Sequence, residues 1–345
     1  MNILIVKLSH LGDVVSSFPF LAALRQLYPQ ARVSWVVEED TAEILQDHPL
    51  IDRVVIAGRK TWIKDVKKGR FQPFMTEIRS FFGELRGESY DMVIDLQGLL
   101  KSGILAFLSG GKRRIAYART RELSHLLYTE RLTPYDPHRR AVLLYLDVAA
   151  YLGARIDEEG DSYLPCFPVN ELAASEAHQL LDGTKRPRII INPVSTRDHK
   201  NWPGKSWREL IRLLVRDSEA RVVVTGGPAD RDFNSGLTQG LAGVLDLTGQ
   251  TRLKVLAEVI RAGDLFIGPD TGPMHIAAMA GVPVIALFGP TSPQLNGPFG
   301  RGHEIMRADL DCSPCFKKNC GDPICMSGIR VEQVYEAVKM MLARP

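Results

Sequence analysis

At 345 residues the chain exceeds one average domain and suits two, and its 45% hydrophobic and 24% charged content supplies a sizeable core and excludes a disordered polymer. A net charge of +3 is too small to argue for nucleic acid, and no apolar run approaches the length needed to cross a bilayer. The chain enters a strand at once, with no secretory leader, so a cytoplasmic protein is expected.

In chain order, the apolar runs predict a strand from Ile3 to Val6, a helix from Val14 to Tyr28, and strands from Val33 to Val37 and from Met92 to Leu96. Basic residues cluster at Arg59, Lys60, Lys64, Lys67, Lys68 and Arg70, and again at Lys112, Arg113 and Arg114; they are solvated surface or meet an anionic partner or membrane. A helix is expected from Ala141 to Leu152, followed by a segment punctuated by Pro165, Pro168 and Gly183 that reads as a linker. The pattern then restarts with a strand from Arg188 to Asn192, a helix from Trp207 to Arg216 and a strand from Arg221 to Thr225. A strand from Leu265 to Ile267, a polar turn, a short helix ending near Gly281 and a strand from Val284 complete the core pattern, and a last helix spans Val331 to Ala343. Apolar strands alternating with helices imply an α/β architecture of two parallel sheets, with a ligand cleft between them at the carboxyl ends of strands.

The turn around Asp270, Thr271, Gly272 and His275 gathers free backbone N–H groups at a helix start, which favours a phosphate; the plain alternative is a capped helix. Ser195, Thr196 and Lys200 offer two hydroxyls and an ammonium in one strand-end loop, a set suited to a diphosphate or to an ordinary polar loop. Asp230 closes a Gly-Gly-Pro turn where a carboxylate could take ribose hydroxyls. Asp13, at the mouth of the first strand, is either a helix N-cap or a catalytic carboxylate, and Lys7 either pairs with it, holds an anion or merely ends a strand. The stretch from Lys7 to Asp13 lacks the glycine fingerprint of dinucleotide sites, which argues against hydride chemistry. One carboxylate and a diphosphate cradle suit sugar transfer from a nucleotide sugar. The departing diphosphate needs charge stabilisation, whereas a glycosidase needs a second carboxyl to protonate its leaving group.

Five stretches carry a resemblance that spans nearly the whole chain: Ile5-Val-Lys-Leu-Ser-His-Leu-Gly-Asp13, Val36-Val-Glu-Glu39, Ile94-Asp-Leu-Gln-Gly-Leu-Leu-Lys-Ser102, Ser195-Thr-Arg-Asp-His-Lys-Asn-Trp-Pro203 and Asp270-Thr-Gly-Pro-Met-His275. Together they resemble the heptosyltransferases of lipopolysaccharide inner-core synthesis, glycosyltransferase family 9, and most of all the heptosyltransferase I group. The resemblance implies a GT-B fold, two Rossmann-like domains facing a central cleft: an acceptor-binding domain at 1–165, a linker at 166–186, a nucleotide-sugar domain at 187–328 and a terminal helix at 329–345 that packs back on the first domain. It implies inverting transfer of L-glycero-D-manno-heptose from an ADP-heptose donor to a Kdo residue of lipid A by a protein peripheral to the cytoplasmic face of the inner membrane. Asp13 would be the base, and Ser195, Thr196, Lys200, Asp230, Asp270, Thr271, Gly272 and His275 the donor site. Acceptor contacts fall to Lys7, Lys60, Lys64, Lys101 and Arg121, with Arg119 as a neighbour in that role. Addition of the second heptose, another acceptor such as a protein, or a non-catalytic sugar-nucleotide binder are the alternatives. No catalytic cofactor is implied. Cys312, Cys315, Cys320 and Cys325 lie in one short stretch and form either a structural metal site, a loop-closing disulfide or reduced thiols.

Overall fold

The computed structural model describes residues 1–117, 122–133, 136, 138–157, 161–217, 220–317 and 320–343. The chain forms two compact units, Met1–Tyr163 and Leu164–Pro345. Along the first run β1 (Asn2–Val6), α1 (Leu11–Val15), α2 (Phe18–Leu27), β2 (Arg32–Glu38), α3 (Glu39–Ala42), β3 (Arg53–Ala57), α4 (Arg59–Lys67), α5 (Phe71–Leu85), β4 (Met92–Asp95), α6 (Leu100–Leu108), β5 (Arg113–Tyr117), β6 (Glu130–Leu132) and α7 (Ala141–Tyr151). Among the described residues these give a six-stranded, wholly parallel sheet in the order β3-β2-β1-β4-β5-β6. Every residue from Ile3 to Val6 is fully buried, as a central parallel strand covered on both faces requires. On one face Leu4, Val6, Val36, Val55 and Val93 pack against Phe81 and Leu85 of α5 and Ala106 of α6.

The second unit contains α8 (Glu171–Leu180), β7 (Arg188–Ile191), α9 (Gly204–Asp217), β8 (Arg221–Val224), α10 (Arg231–Thr238), β9 (Val244–Asp246), α11 (Leu253–Arg261), β10 (Leu265–Pro269), α12 (Gly272–Met279), β11 (Val284–Leu287), α13 (Pro293–Asn296), β12 (Glu304–Met306), α14 (Ile324–Ser327) and α15 (Val331–Leu342). Its described strands pair in the order β12-β11-β10-β7-β8-β9, again all parallel. Counted from its own first strand this is the same 3-2-1-4-5-6 order as the first unit, so both are Rossmann-like. In each, connections depart in opposite directions from two adjacent central strands, β1 and β4 in the first and β7 and β10 in the second, which opens a crevice at their carboxyl ends.

Three local expectations change. The single helix expected from Val14 to Tyr28 is two helices, because Ser17 turns back to the Val14 carbonyl (2.6 Å) and Pro19, which has no N–H to donate, starts α2 in its first turn. The segment 166–186, read as a linker from its prolines, belongs to the second unit. Ala173, Ala177 and Leu181 recur every four residues and are buried against α11, the Asn170 side chain caps α8, and the Cys166 and Phe167 amides donate to the Met279 carbonyl. The last helix, expected to pack back on the first domain, instead buries Val334, Ala337, Val338 and Met341 in the second unit's core, beside α9. The Trp202 indole anchors its approach by donating to the Ile329 carbonyl at 3.0 Å.

Among the described residues no helix is long and apolar enough to cross a membrane. His48 is buried edge-on against Phe18, its Nδ1 accepts from the Leu50 amide, and its Nε2 has no partner. Burial, with Arg25 nearby, pushes its pKa down from 6.5 to about 4. The unfolded chain therefore takes up a proton that the folded chain refuses, so stability should fall as pH drops from about 6.5 to about 4, by up to about 3 kcal/mol. His48→Asn keeps the acceptor without the titration, and thermal denaturation across that range should show a flatter decline in the variant.

Candidate functional site

In the first unit the candidate functional side chains gather at the carboxyl ends of β1, β2 and β4. Lys7 follows β1 and is 3% exposed, its carbonyl accepting from the Trp35 indole at 3.1 Å. Its ammonium lies 3.8 Å from Asp13 Oδ2, donates to the Leu96 carbonyl at 3.4 Å and sits 4.9 Å from the Tyr145 ring centre. Burial alone would lower its pKa; the Asp13 carboxylate, Tyr145 and Asp95 outweigh burial and raise it. Lys7 is therefore a fixed cation beneath Asp13. Asp13 itself lies in the first turn of α1 with its side chain 43% exposed, and it makes no capping bond because His10 holds the N-cap position. His10 has φ +68°, a conformation that favours glycine, and its Nδ1 is 3.7 Å from Asp13 Oδ2. A carboxylate open to solvent on one side and held by a buried ammonium on the other is arranged to accept a proton from a bound hydroxyl.

Beside it Glu38, at the end of β2 and 7% exposed, accepts from Arg59 (2.7 Å) and Lys101 (2.8 Å), and Lys101 also lies 3.4 Å from the Ser9 hydroxyl. Burial would raise the Glu38 carboxyl, but Arg59 and Lys101 hold it below the usual value. Lys60 is exposed and paired with Asp40, and Lys64 is exposed on α4. Arg119 and Arg121 lie outside the described residues. The sequence reading placed Lys7, Asp13 and Lys101 here but assigned no role to Glu38, although it sits inside the quoted Val36 to Glu39 stretch, nor to His10. Tyr145 and Tyr128 come from distant segments and left no local signal.

In the second unit an ion pair bridges the loops that follow β7 and β10. Lys200 Nζ lies 2.5 Å from Asp270 Oδ2 and also donates to the Asp270 carbonyl at 3.2 Å; the two side chains are 12% and 8% exposed. The pair ties the loop after β7 to the turn that starts α12. There the amides of Thr271, Gly272 and Met274 have no acceptor within the helix, Pro273 occupies the second helical position, and Gly281 ends the segment at φ +79°. Thr271 donates to the Pro269 carbonyl at 3.3 Å, and His275 Nε2 is 4.0 Å from Asp270 Oδ1. Buried Ser195 is held by Asn201, whose side chain accepts from the Ser195 amide at 2.6 Å, and Thr196 is exposed. Amides, helix dipole and ammonium together form an anion cradle. Asp230 folds back on its own turn, accepting from the Gly227 amide at 2.7 Å. A Cβ on Gly226 would meet Asn234 Nδ2 at 2.8 Å and Asp230 Oδ2 at 3.1 Å, so glycine there lets the turn close on itself.

Cys312, Cys315, Cys320 and Cys325 are all free thiols; Cys312 and Cys320 are exposed and Cys325 is buried. Among the described residues no three His, Cys, Asp or Glu side chains are arranged to hold a metal ion, so the metal reading of this cluster gains no support. Burial pushes the Cys325 thiol up, and that of Cys166 up to about 12, which leaves both protonated at neutral pH. Asp270→Ala should leave the Lys200 ammonium buried without its partner, at a cost of about 3 kcal/mol. Replacing Lys200 by Met in the same chain should recover most of that loss, as read from urea unfolding midpoints.

The fold agrees with that of known proteins. The chain is 29% identical to lipopolysaccharide heptosyltransferase 1 of Pseudomonas aeruginosa, with 100% of this chain and 99% of that protein aligned. It is 32% identical to lipopolysaccharide heptosyltransferase 1 of Escherichia coli K12, over 89% and 94% of the two chains. Among solved structures, E. coli heptosyltransferase WaaC with ADP superposes with a TM-score of 0.80 at 28% identity, covering 99% of this chain and 100% of that one. The family model of glycosyltransferase family 9 (heptosyltransferase) matches residues 78–323. The two Rossmann-like units are thus those of a GT-B glycosyltransferase, and the chain is a member of glycosyltransferase family 9, the heptosyltransferases.

Proposed function

We propose that the protein transfers L-glycero-D-manno-heptose from the ADP-sugar to a Kdo residue of Kdo-bearing lipid A, inverting the anomeric centre, in lipopolysaccharide inner-core synthesis. The observation that carries this reading is the coexistence of two features in one chain: an exposed carboxylate backed by a buried ammonium at the end of β1, and the Lys200–Asp270 cradle at the start of α12. The family's relatives named above, and a WaaC structure with ADP-2-deoxy-2-fluoro heptose at 28% identity and a TM-score of 0.77, support ADP-heptose as donor.

In this reading the Asp13 carboxylate takes the proton of the acceptor hydroxyl as that oxygen bonds to the anomeric carbon. The bond from that carbon to the β-phosphate oxygen breaks, and ADP departs with the electron pair. Lys200, the free amides of α12 and the helix dipole meet the charge that develops on the diphosphate. The basic side chains around Glu38, with Arg59 and Lys101 already drawn together, suit an acceptor rich in carboxylate and phosphate.

We assign the peripheral contact with the cytoplasmic face of the membrane to α4 and the start of α5. Ile63, Val66, Phe71 and Met75 are 42 to 63% exposed there, among the exposed Lys64, Lys67, Lys68 and Arg70. Apolar side chains that dip into an interface and cations that meet anionic headgroups are the two signals such binding needs.

The test is ADP release from ADP-heptose with and without a Kdo-bearing lipid A acceptor. Acceptor-dependent release is expected. Tight donor binding without release would move the assignment to the second heptose or another acceptor. Asp13→Ala should abolish turnover while keeping donor affinity, and Lys200→Ala should weaken ADP binding roughly 10- to 100-fold. Lys64→Glu with Lys67→Glu and Lys68→Glu should lose co-sedimentation with vesicles of phosphatidylglycerol and phosphatidylethanolamine; retained binding would place the membrane contact elsewhere.

A further inference from the structure

One quoted motif, from Ile94 to Ser102, is only partly used by this mechanism: Lys101 has a place, but the Asp95-Leu-Gln97-Gly98 segment has none. The segment lies at the end of β4, the strand that pairs with β1. The Asp95 carboxylate is buried and accepts from the Gln97 amide at 2.7 Å, the Gly98 amide at 3.0 Å and the Tyr128 hydroxyl at 2.6 Å. The two amide bonds curl the chain tightly after β4, with Gly98 at φ +66°, and the Tyr128 hydroxyl holds the carboxylate from outside the turn. The curl delivers the Gln97 carboxamide to the loop after β1, where its Oε1 accepts from the Leu8 amide at 3.2 Å and lies 3.5 Å from the Ser9 amide. Those two residues lead directly into the strained His10 and the α1 turn that carries Asp13.

We infer that Gln97 is a positioning residue for Asp13: its carboxamide oxygen fixes the backbone at Leu8 and Ser9, and through it the turn that aims the Asp13 carboxylate, with Asp95 and Tyr128 holding Gln97 in place. The inference rests on the reading of Asp13 as the base. Beyond Val6 the ladder to β2 is carried by the Lys7 amide on the Val36 carbonyl and the Glu38 amide on the Leu8 carbonyl, and the Leu8 and Ser9 amides, which point to the other side, find their acceptor in one side chain. A turn containing a left-handed, non-glycine residue persists only when its surroundings over-determine it. Without the carboxamide the turn has a less strained alternative in which the Asp13 carboxylate points elsewhere, and small misplacement of a catalytic group costs rate far more than binding.

The experiment uses the full chain and two substitutions. Gln97→Met keeps the length and bulk of the side chain and removes the acceptor; Gln97→Glu restores an acceptor oxygen. Amide hydrogen exchange over residues 8–13 reads the clamp without any substrate, and should be faster in Gln97→Met and return toward the original rate in Gln97→Glu. With ADP-heptose and the Kdo-bearing acceptor, Gln97→Met should lower kcat roughly tenfold or more while the donor Kd stays within about twofold, and Gln97→Glu should recover most of that loss. Unchanged exchange in Gln97→Met, an equal loss in both variants, or failure of Gln97→Met to fold would each overturn the inference, the last in favour of a scaffold role. Asp13→Ala is measured alongside. If that variant stays active, the base assignment fails, which is a different result from an inactive Asp13→Ala beside a fully active Gln97→Met.

Discussion

The crevice at which two neighbouring parallel strands send their connections in opposite directions is the constraint on which each unit depends. A doubly wound sheet creates that crevice by topology, before any side chain is chosen, and only there do two strand-end loops face each other without a helix packed between them. In the first unit the crevice lies beyond β1 and β4 and receives Lys7, Asp13 and Gln97; in the second it lies beyond β7 and β10 and receives Lys200 and Asp270. The candidate site residues thus occupy the two equivalent places of a repeated architecture. The Ile and Val content of the central strands, buried on both faces, makes those places rigid.

Both crevices use a lysine that has been taken out of water, but with opposite consequences. Lys7 is balanced by Asp13, Tyr145 and Asp95 and keeps its proton, so the nearby half-exposed carboxylate faces a permanent positive charge. Lys200 is locked to Asp270 at both the side chain and the carbonyl, which joins two loops that are 70 residues apart in sequence. A buried pair of this kind contributes little net stability, since desolvation offsets most of the attraction. Its value lies in geometry, because the ammonium is held beside the free amides of α12 with little rotational freedom left.

Much of this was legible in the sequence, for physical reasons that differ by element. Central strands such as Ile3 to Val6 and Ile189 to Ile191 are continuous apolar runs and declare themselves. The edge strands β6, β9 and β12 are three residues each and carry no such run, so periodicity could not find them. The segment from 166 to 186 was mistaken for a linker because its prolines and glycine are conspicuous while its buried face is mostly alanine, which hydropathy counts weakly. Of the candidate site, Asp13, Lys200 and Asp270 stand out from strand-end position as polar residues in local loops, while position leaves Asp13 open between an N-cap and a base and only the family resemblance favours the base. Glu38 depends on Arg59 and Lys101, which are 21 and 63 residues away, and Asp95 depends on Tyr128, 33 residues away; such partnerships exist only after the sheet has formed. Asp230, read as a ribose ligand from its type and place, also accepts from the Gly227 amide, a bond that a sequence does not reveal.

His10 carries a consequence for how this chain can change over time. A side chain at φ +68° costs on the order of 1–3 kcal/mol that glycine would not incur, so selection for stability alone would install glycine there. Glycine would also let the peptide units on either side rotate freely, directly ahead of the turn that presents Asp13. With Asp13 proposed as the base, position 10 is a place where thermal robustness and catalytic aim pull in opposite directions. Directed evolution for heat tolerance should drift toward glycine at this position and stall as soon as activity enters the selection.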